Sequence, residues 1–211
     1  MNYVALGDSI TAFRSGVKTY FEWLQENGDE FAFTEMINSG VPGWNTENVL
    51  ADLENKCLRF NPAVVTIMLG TNDHAIYKGT NAAAVSTETY ESNLRQMIER
   101  IRSANGDGVS KPVVILMTPP FASTHVNVAG TDVNQSRLLA YCEIVKRVSS
   151  ETGTGLVDVN TITGEATGGD DERYNQSFTD KNDGVHLNSE GQQVMAPYVK
   201  AAILEALRVR S

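Results

Sequence analysis

The chain has 211 residues, 41% apolar and 20% charged, which suits one compact domain with a sizeable core and sets aside disordered, collagen-like and coiled-coil classes. Seventeen Lys and Arg against 26 Asp and Glu give a formal charge of −9 without any basic cluster, so the electrostatic footprint of nucleic-acid binding is missing. No run nears the ~18 apolar residues of a membrane span, and the opening MNYVALGD has neither a basic leader nor a signal-length apolar stretch. The chain as given reads as cytoplasmic, although a secreted protein stripped of its signal would read the same way.

Taken in order, the first apolar run, Tyr3–Leu6, predicts a buried strand and ends in Gly7-Asp8-Ser9. Val17, Tyr20, Phe21 and Leu24 then repeat at helical spacing, and a weaker strand is expected near Phe33–Ile37, followed by Asn38-Ser39-Gly40. Val49, Leu50 and Leu53 mark a second helix, and Ala63–Leu69 a strand ending in Gly70-Thr71-Asn72-Asp73. The polar stretch His74–Thr87 exceeds ordinary loop length and leads into a helix carrying Tyr90, Leu94, Met97, Ile98 and Ile101. Val113–Met117 predicts a further strand, Phe121–Gln135 a second long loop, and Leu138, Cys142 and Val145 a helix. Leu156–Val159 is the last expected strand. The third long stretch, Thr161–Gly184, holds six acids against two bases and reads as a solvated flap or an anion-repelling rim. Val194, Tyr198 and Ala201 close the chain as a helix, in which Pro197 is expected to make a boundary or bend. Cys57 and Cys142 fall in apolar helical patterns and read as reduced packing thiols.

Strands that are apolar throughout and alternate with helices predict a parallel sheet covered on both faces, a three-layer α/β fold. Ligands of such sheets bind beyond the carboxyl ends of the strands, which are the polar segments just named. Ser9 taken alone could cap a turn. A serine hydroxyl attacks carbon only when a base takes its proton, and the chain offers three histidines, His74, His125 and His186. His186 stands three residues after Asp183, just before Asn188 and Ser189, either of which could cap the final helix. That spacing lets the carboxylate fold back onto the imidazole Nδ1–H and leave Nε2 as base. Ser9 N–H, Gly40 N–H and the Asn72 amide come from neighbouring strand ends and could converge on an oxyanion. A tight turn at Gly40 and an Asx-turn at Asn72 are the plain alternatives.

Four segments together resemble the SGNH hydrolases, also called GDSL esterases and lipases: Gly7-Asp8-Ser9-Ile10, Asn38-Ser39-Gly40-Val41-Pro42-Gly43, Gly70-Thr71-Asn72-Asp73 and Asp183-Gly184-Val185-His186. The resemblance runs from Tyr3 to about Leu207 and keeps the family's order. Ile10 replaces the leucine of the family's name, a change on the apolar side. It implies a flavodoxin-like sheet of five parallel strands, Ser9 as nucleophile, His186 as base oriented by Asp183, an oxyanion hole of Ser9, Gly40 and Asn72, and a single domain over 1–211.

The expected activity is hydrolysis of an acyl ester, with no cofactor and no metal, since neither a phosphate loop, a dinucleotide fingerprint nor a Cys/His cluster of ligand spacing occurs. The substrate could be a small-molecule, carbohydrate or lipid ester, so carbohydrate O-acetylesterase, lysophospholipase and thioesterase all remain open. Short acyl groups are favoured because the long loops are polar and offer little apolar wall. Trp44, His74, Tyr77 and His125 are candidate substrate contacts, with packing or exposed-loop roles as the alternatives. Two other classes stay open: a phosphoryl-accepting domain using Asp8, and a silent binding module. Oligomeric state is not readable from the sequence.

Overall fold

A computed structural model describes residues 1–104, 111–126 and 128–210. Its main sheet has five parallel strands in the order β2-β1-β3-β5-β7, namely Glu35–Gly40, Asn2–Gly7, Pro62–Met68, Val113–Met117 and Gly155–Val157. Two short strands, β4 (Ile76–Tyr77) and β6 (Thr131–Asp132), pair antiparallel outside it. The chain order of the five main strands is flavodoxin-like, and it reverses between β1 and β3, where ligands of such sheets collect.

Alternation along each strand divides the core. Tyr3, Ala5, Val64, Met68, Ile115 and Met117 point to the face covered by α1 (Tyr20–Asn27) and α8 (Ser189–Arg210). Val4, Leu6, Val65, Ile67, Val114 and Leu116 face α2 (Thr46–Ala51), α3 (Leu53–Lys56), α4 (Thr87–Ser103) and α5 (Gln135–Thr152). Each such Val, Leu or Ile contributes about 1.5–3 kcal/mol by leaving water. Cys57 and Cys142 are buried free thiols whose pKa burial pushes up to about 12, in keeping with a packing role. Among the described residues no helix is long and apolar enough to cross a membrane.

Three expectations are corrected. The Thr161–Gly184 stretch is not a flap: α6 (Val159–Glu165) reaches into it, α7 (Asp171–Phe178) lies within it, and a 3-10 turn follows at Asp180–Asn182. One of its acids, Asp170, caps α7 by accepting Arg173 N–H, and Asp158, just ahead of the stretch, caps α6 by accepting Thr161 N–H. Fully buried Tyr174 anchors α7 through a 2.6 Å bond to Phe121 O. Second, Pro197 makes no helix boundary, since α8 continues through it. Pro197 and Gln193 both lie on the exposed side of α8, where a lost backbone hydrogen bond is least costly. Meanwhile Met195, Ala196, Val199 and Ile203 are fully buried on the other side. Third, the edge strand β2 begins at Glu35 rather than near Phe33 and continues to Gly40.

The long loops His74–Thr87 and Phe121–Gln135 are stitched together by the β4–β6 ribbon and by Arg137, which donates to His74 O at 2.6 Å and Asp132 O at 2.7 Å.

Candidate active site

At the end of β1 the chain turns sharply. Asp8 Oδ1 accepts Ile10 N–H at 2.9 Å and Asp8 O accepts Ala12 N–H at 3.0 Å, an Asx-type turn that leaves Ser9 at the sheet's rim, 8% exposed. Ser9 is therefore no helix cap. Gly40 lies beside this turn, where a Cβ would collide with the backbone of Thr11 and Ala12, so only glycine lets β2 approach so closely.

The β1 end meets the segment before α8. Ser9 Oγ lies 2.9 Å from His186 Nε2, and His186 Nδ1 lies 2.7 Å from Asp183 Oδ2. The other Asp183 oxygen accepts the N–H groups of Val185 and His186, both at 2.8 Å. Burial works against the Asp183 charge, but the imidazole and these two N–H groups outweigh it and hold its pKa below the ordinary carboxylate value. Gly184 makes the connecting turn at φ +80°, with the backbone of His125 and Val126 packed where a side chain would stand. Asn188 caps α8 by accepting Gly191 N–H at 3.0 Å, which fixes the far side of the same segment.

Asn72 sits at the end of β3. Its Nδ2 donates to Trp44 O at 2.9 Å, and Tyr77 Oη donates to its Oδ1 at 3.4 Å, so both ends of the amide are oriented. Gly40 N–H donates to Asn38 Oδ1 at 3.0 Å, and Asn38 Nδ2 donates to Thr11 O at 2.7 Å.

The other candidates fall differently. The ring of His74 is not a substrate contact, nor is it a partly exposed loop group. It is fully buried, Nδ1 bonds Gly70 O at 3.0 Å, and Nε2 accepts Asn134 N–H at 3.3 Å. Burial drives its pKa down to about 4. His125 is 58% exposed, with Nε2 3.7 Å from Asp171 Oδ2. Trp44 is half-buried with Lys56 Nζ 5.1 Å from its ring centre, and its carbonyl, not its indole, engages Asn72.

Two groups escape a reading of the sequence. Arg14 donates to Leu187 O and lies 3.8 Å from Asp180, tying the segment after Ser9 to the one carrying His186. Five residues after a turn, a lone arginine carries no spacing signal. Asp73, inside the Gly70–Asp73 segment, is fully buried and accepts Thr46 N–H at 2.9 Å and Thr46 Oγ–H at 2.5 Å through Oδ1, while Oδ2 has no partner. Burial pushes its pKa up to about 7, and the nearby Asp8 charge adds to the shift. Burial likewise lifts Asp8 to about 6.

A raised acid favours the fold while it is neutral. The stability it contributes is complete below its unfolded pKa of about 3.9 and is lost as pH climbs to the folded value. Asp73→Asn, which cannot ionise, is therefore expected to gain stability relative to the parent by on the order of 3 kcal/mol between pH 5 and 8. Melting curves of both proteins across that range read this directly, and a constant difference would show that folded Asp73 is already ionised below pH 5, its pKa not raised.

Sequence and fold both have counterparts among known proteins. The model of the GDSL-like Lipase/Acylhydrolase family matches residues 5–194. The isoamyl acetate-hydrolyzing esterase 1 homolog of Rattus norvegicus is 27% identical over 173 residues, 76% of this chain and 65% of its own, so the chain spans just under two thirds of that relative. A lipase/acylhydrolase from Enterococcus faecalis superposes with a TM-score of 0.71 at 24% identity, covering 96% of this chain and 95% of that one. A catalytic mutant of an acetylxylan esterase from Geobacillus stearothermophilus gives 0.70 at 19% identity, with 97% and 93% covered. At these identities the two structures establish a shared fold.

Proposed function

The chain belongs to the GDSL-like lipase/acylhydrolase family; we propose that it is an ester hydrolase working as a serine esterase, with Ser9 as nucleophile, His186 as general base and Asp183 as its orienting partner. The observation that carries the reading is the unbroken relay from Ser9 Oγ through His186 Nε2 and Nδ1 to Asp183 Oδ2, at 2.9 and 2.7 Å. His186 takes the Ser9 proton as Oγ bonds the ester carbonyl carbon, and the carbonyl oxygen becomes an oxyanion. The C–O bond to the alcohol then breaks while the imidazolium returns the proton to the leaving oxygen. Water, deprotonated by the same imidazole, attacks the acyl-serine and releases the acid.

In this reading Ser9 N–H, Gly40 N–H and the Asn72 amide receive the oxyanion. Asn72 Nδ2 carries two hydrogens and Trp44 O takes one, which leaves the other for the substrate. Gly40 N–H already donates to Asn38 Oδ1 and serves as a shared donor. Asn72→Ala is expected to lower kcat by about 10²–10³ with the fold intact, and an unchanged kcat removes Asn72 from the oxyanion site.

Short acyl groups, acetate first, are the preferred acids. The long loops around the strand ends are polar, and both the relative named for isoamyl acetate and the structure named for acetylxylan concern acetate esters. A p-nitrophenyl ester series tests this: kcat/KM is expected to be greatest for acetate or propionate and to fall with each added methylene. A rise toward octanoate would instead place a long-chain lipid ester at this site. The phosphoryl-acceptor alternative loses its footing, because Asp8 is 2% exposed and spends Oδ1 on the Ile10 N–H.

A further inference from the structure

The two residues at the end of β3 grip one short loop twice. Asn72 Nδ2 holds Trp44 O at 2.9 Å, and Asp73 Oδ1 holds the N–H and hydroxyl of Thr46 at 2.9 and 2.5 Å. Behind them Asn93 Nδ2, from α4, donates to Thr46 Oγ1 at 3.0 Å, so the hydroxyl is fixed from both sides. The loop so gripped starts at Gly40, and its first peptide is pinned to β1 by Val41 N–H donating to Gly7 O at 3.0 Å.

We propose that Asp73 is the positioning residue of the oxyanion site: by anchoring Thr46 it locks the Gly40–Thr46 loop against the Gly70–Asp73 turn and sets where the Gly40 N–H and the Asn72 amide point. The inference rests on the serine-esterase reading given above. Asp73 touches no reacting atom and acts only through its neighbours. Without it, Trp44 O, the acceptor that orients Asn72, would sit on a loop whose Thr46 end is free to drift. Oxyanion stabilisation depends on donors preset to within a fraction of an ångström, so such drift is felt in the transition state before it is felt in substrate binding.

The Asp73 side chain is fully buried and Oδ2 finds no partner, an arrangement that costs free energy. What the residue supplies against that cost is the double Oδ1 grip on Thr46, at the base of the loop that carries the proposed oxyanion donors. One oxygen does the holding, so asparagine, which keeps an oxygen at the Oδ1 position, is the conservative replacement that should preserve it.

The test is steady-state kinetics of Asp73→Ala, Asp73→Asn and Thr46→Val, each alone and combined with Asn72→Ala, with melting curves to establish folding. Asp73→Ala and Thr46→Val are expected to lower kcat by about tenfold or more with KM changed by no more than about twofold. Asp73→Asn is expected to restore most of the activity. In the Asn72→Ala background the Asp73→Ala effect should be clearly smaller than in the parent, since one of the two donors it positions has gone. A full kcat in Asp73→Ala, or the same drop with and without Asn72, overturns the proposal. Should Asp73→Ala fail to fold, Thr46→Val, which keeps the side-chain shape, decides in the same way. If Asn72→Ala alone leaves kcat untouched, the oxyanion assignment falls and this inference falls with it, whereas a crippled Asn72→Ala beside a fully active Asp73→Ala overturns the positioning role alone.

Discussion

His186→Ala is expected to reduce kcat by about 10⁴–10⁶ while the protein folds and binds substrate as before. The Ser9 hydroxyl is 2.9 Å from His186 Nε2, and no other acceptor for its proton is seen among the described contacts. Removing the imidazole leaves a neutral alcohol, a poor nucleophile, and also removes the acid that returns a proton to the leaving oxygen. Both half-reactions lose the same group, so neither acylation nor deacylation can compensate. The half-buried ring is held by polar contacts on both nitrogens, and its loss opens no large cavity in the core. Circular dichroism and melting temperature close to those of the parent, beside the collapsed kcat, would complete the expected result. A variant retaining a tenth of the parent rate would mean that His186 is not the base.

Asp183→Asn carries the second-largest effect, a fall in kcat of about 10⁴. The carboxylate accepts the imidazole N–H at 2.7 Å and two backbone N–H groups at 2.8 Å. An amide of the same shape can keep the backbone contacts through its oxygen, but it presents an NH₂ group to Nδ1. The imidazole must then place its proton on Nε2, which can no longer accept from Ser9. Asp183→Glu keeps the charge and lets the ring retain its tautomer at a longer reach, so it should lose less than the asparagine variant. Equal, full activity in both would leave His186 without this partner. Because its pKa is held below the ordinary carboxylate value, Asp183 stabilises the fold above its unfolded pKa and loses that contribution only as pH falls through the lower folded value.

The reach of the sequence follows physical lines. Strands β1, β3 and β5 were readable because burial on both faces demands predominantly apolar runs such as Ala63–Leu69, interrupted only by Thr66, and Val113–Met117. Edge strand β2 was misplaced by about two residues because its pairing is one-sided and its last residues, Asn38, Ser39 and Gly40, are polar or small. The acids of Thr161–Gly184 gave the impression of solvent, whereas Asp170 among them, like Asp158 just ahead of the stretch, serves as a helix cap, and a cap is distinguished from a charged loop only by the helix it starts. At the site, the short-range relation of Asp183 to His186 could be read from spacing, and so could the convergence of the β1, β2 and β3 ends from the topology. The burial of His74 could not, since its partner Asn134 lies 60 residues away on another loop. Arg14 and Leu187 are separated by 173 residues and present the same difficulty.

The central claim is that Ser9 attacks the acyl carbon. Intact-mass analysis after treatment with a fluorophosphonate, run on the parent and on Ser9→Ala, tests it most directly. One adduct per parent chain, mapped to Ser9 and accompanied by loss of ester turnover, with no adduct on the alanine variant, is the predicted result. An unlabelled parent, or a Ser9→Ala protein that still takes the label and still turns over p-nitrophenyl acetate, would contradict it and return Ser9 to the turn it occupies.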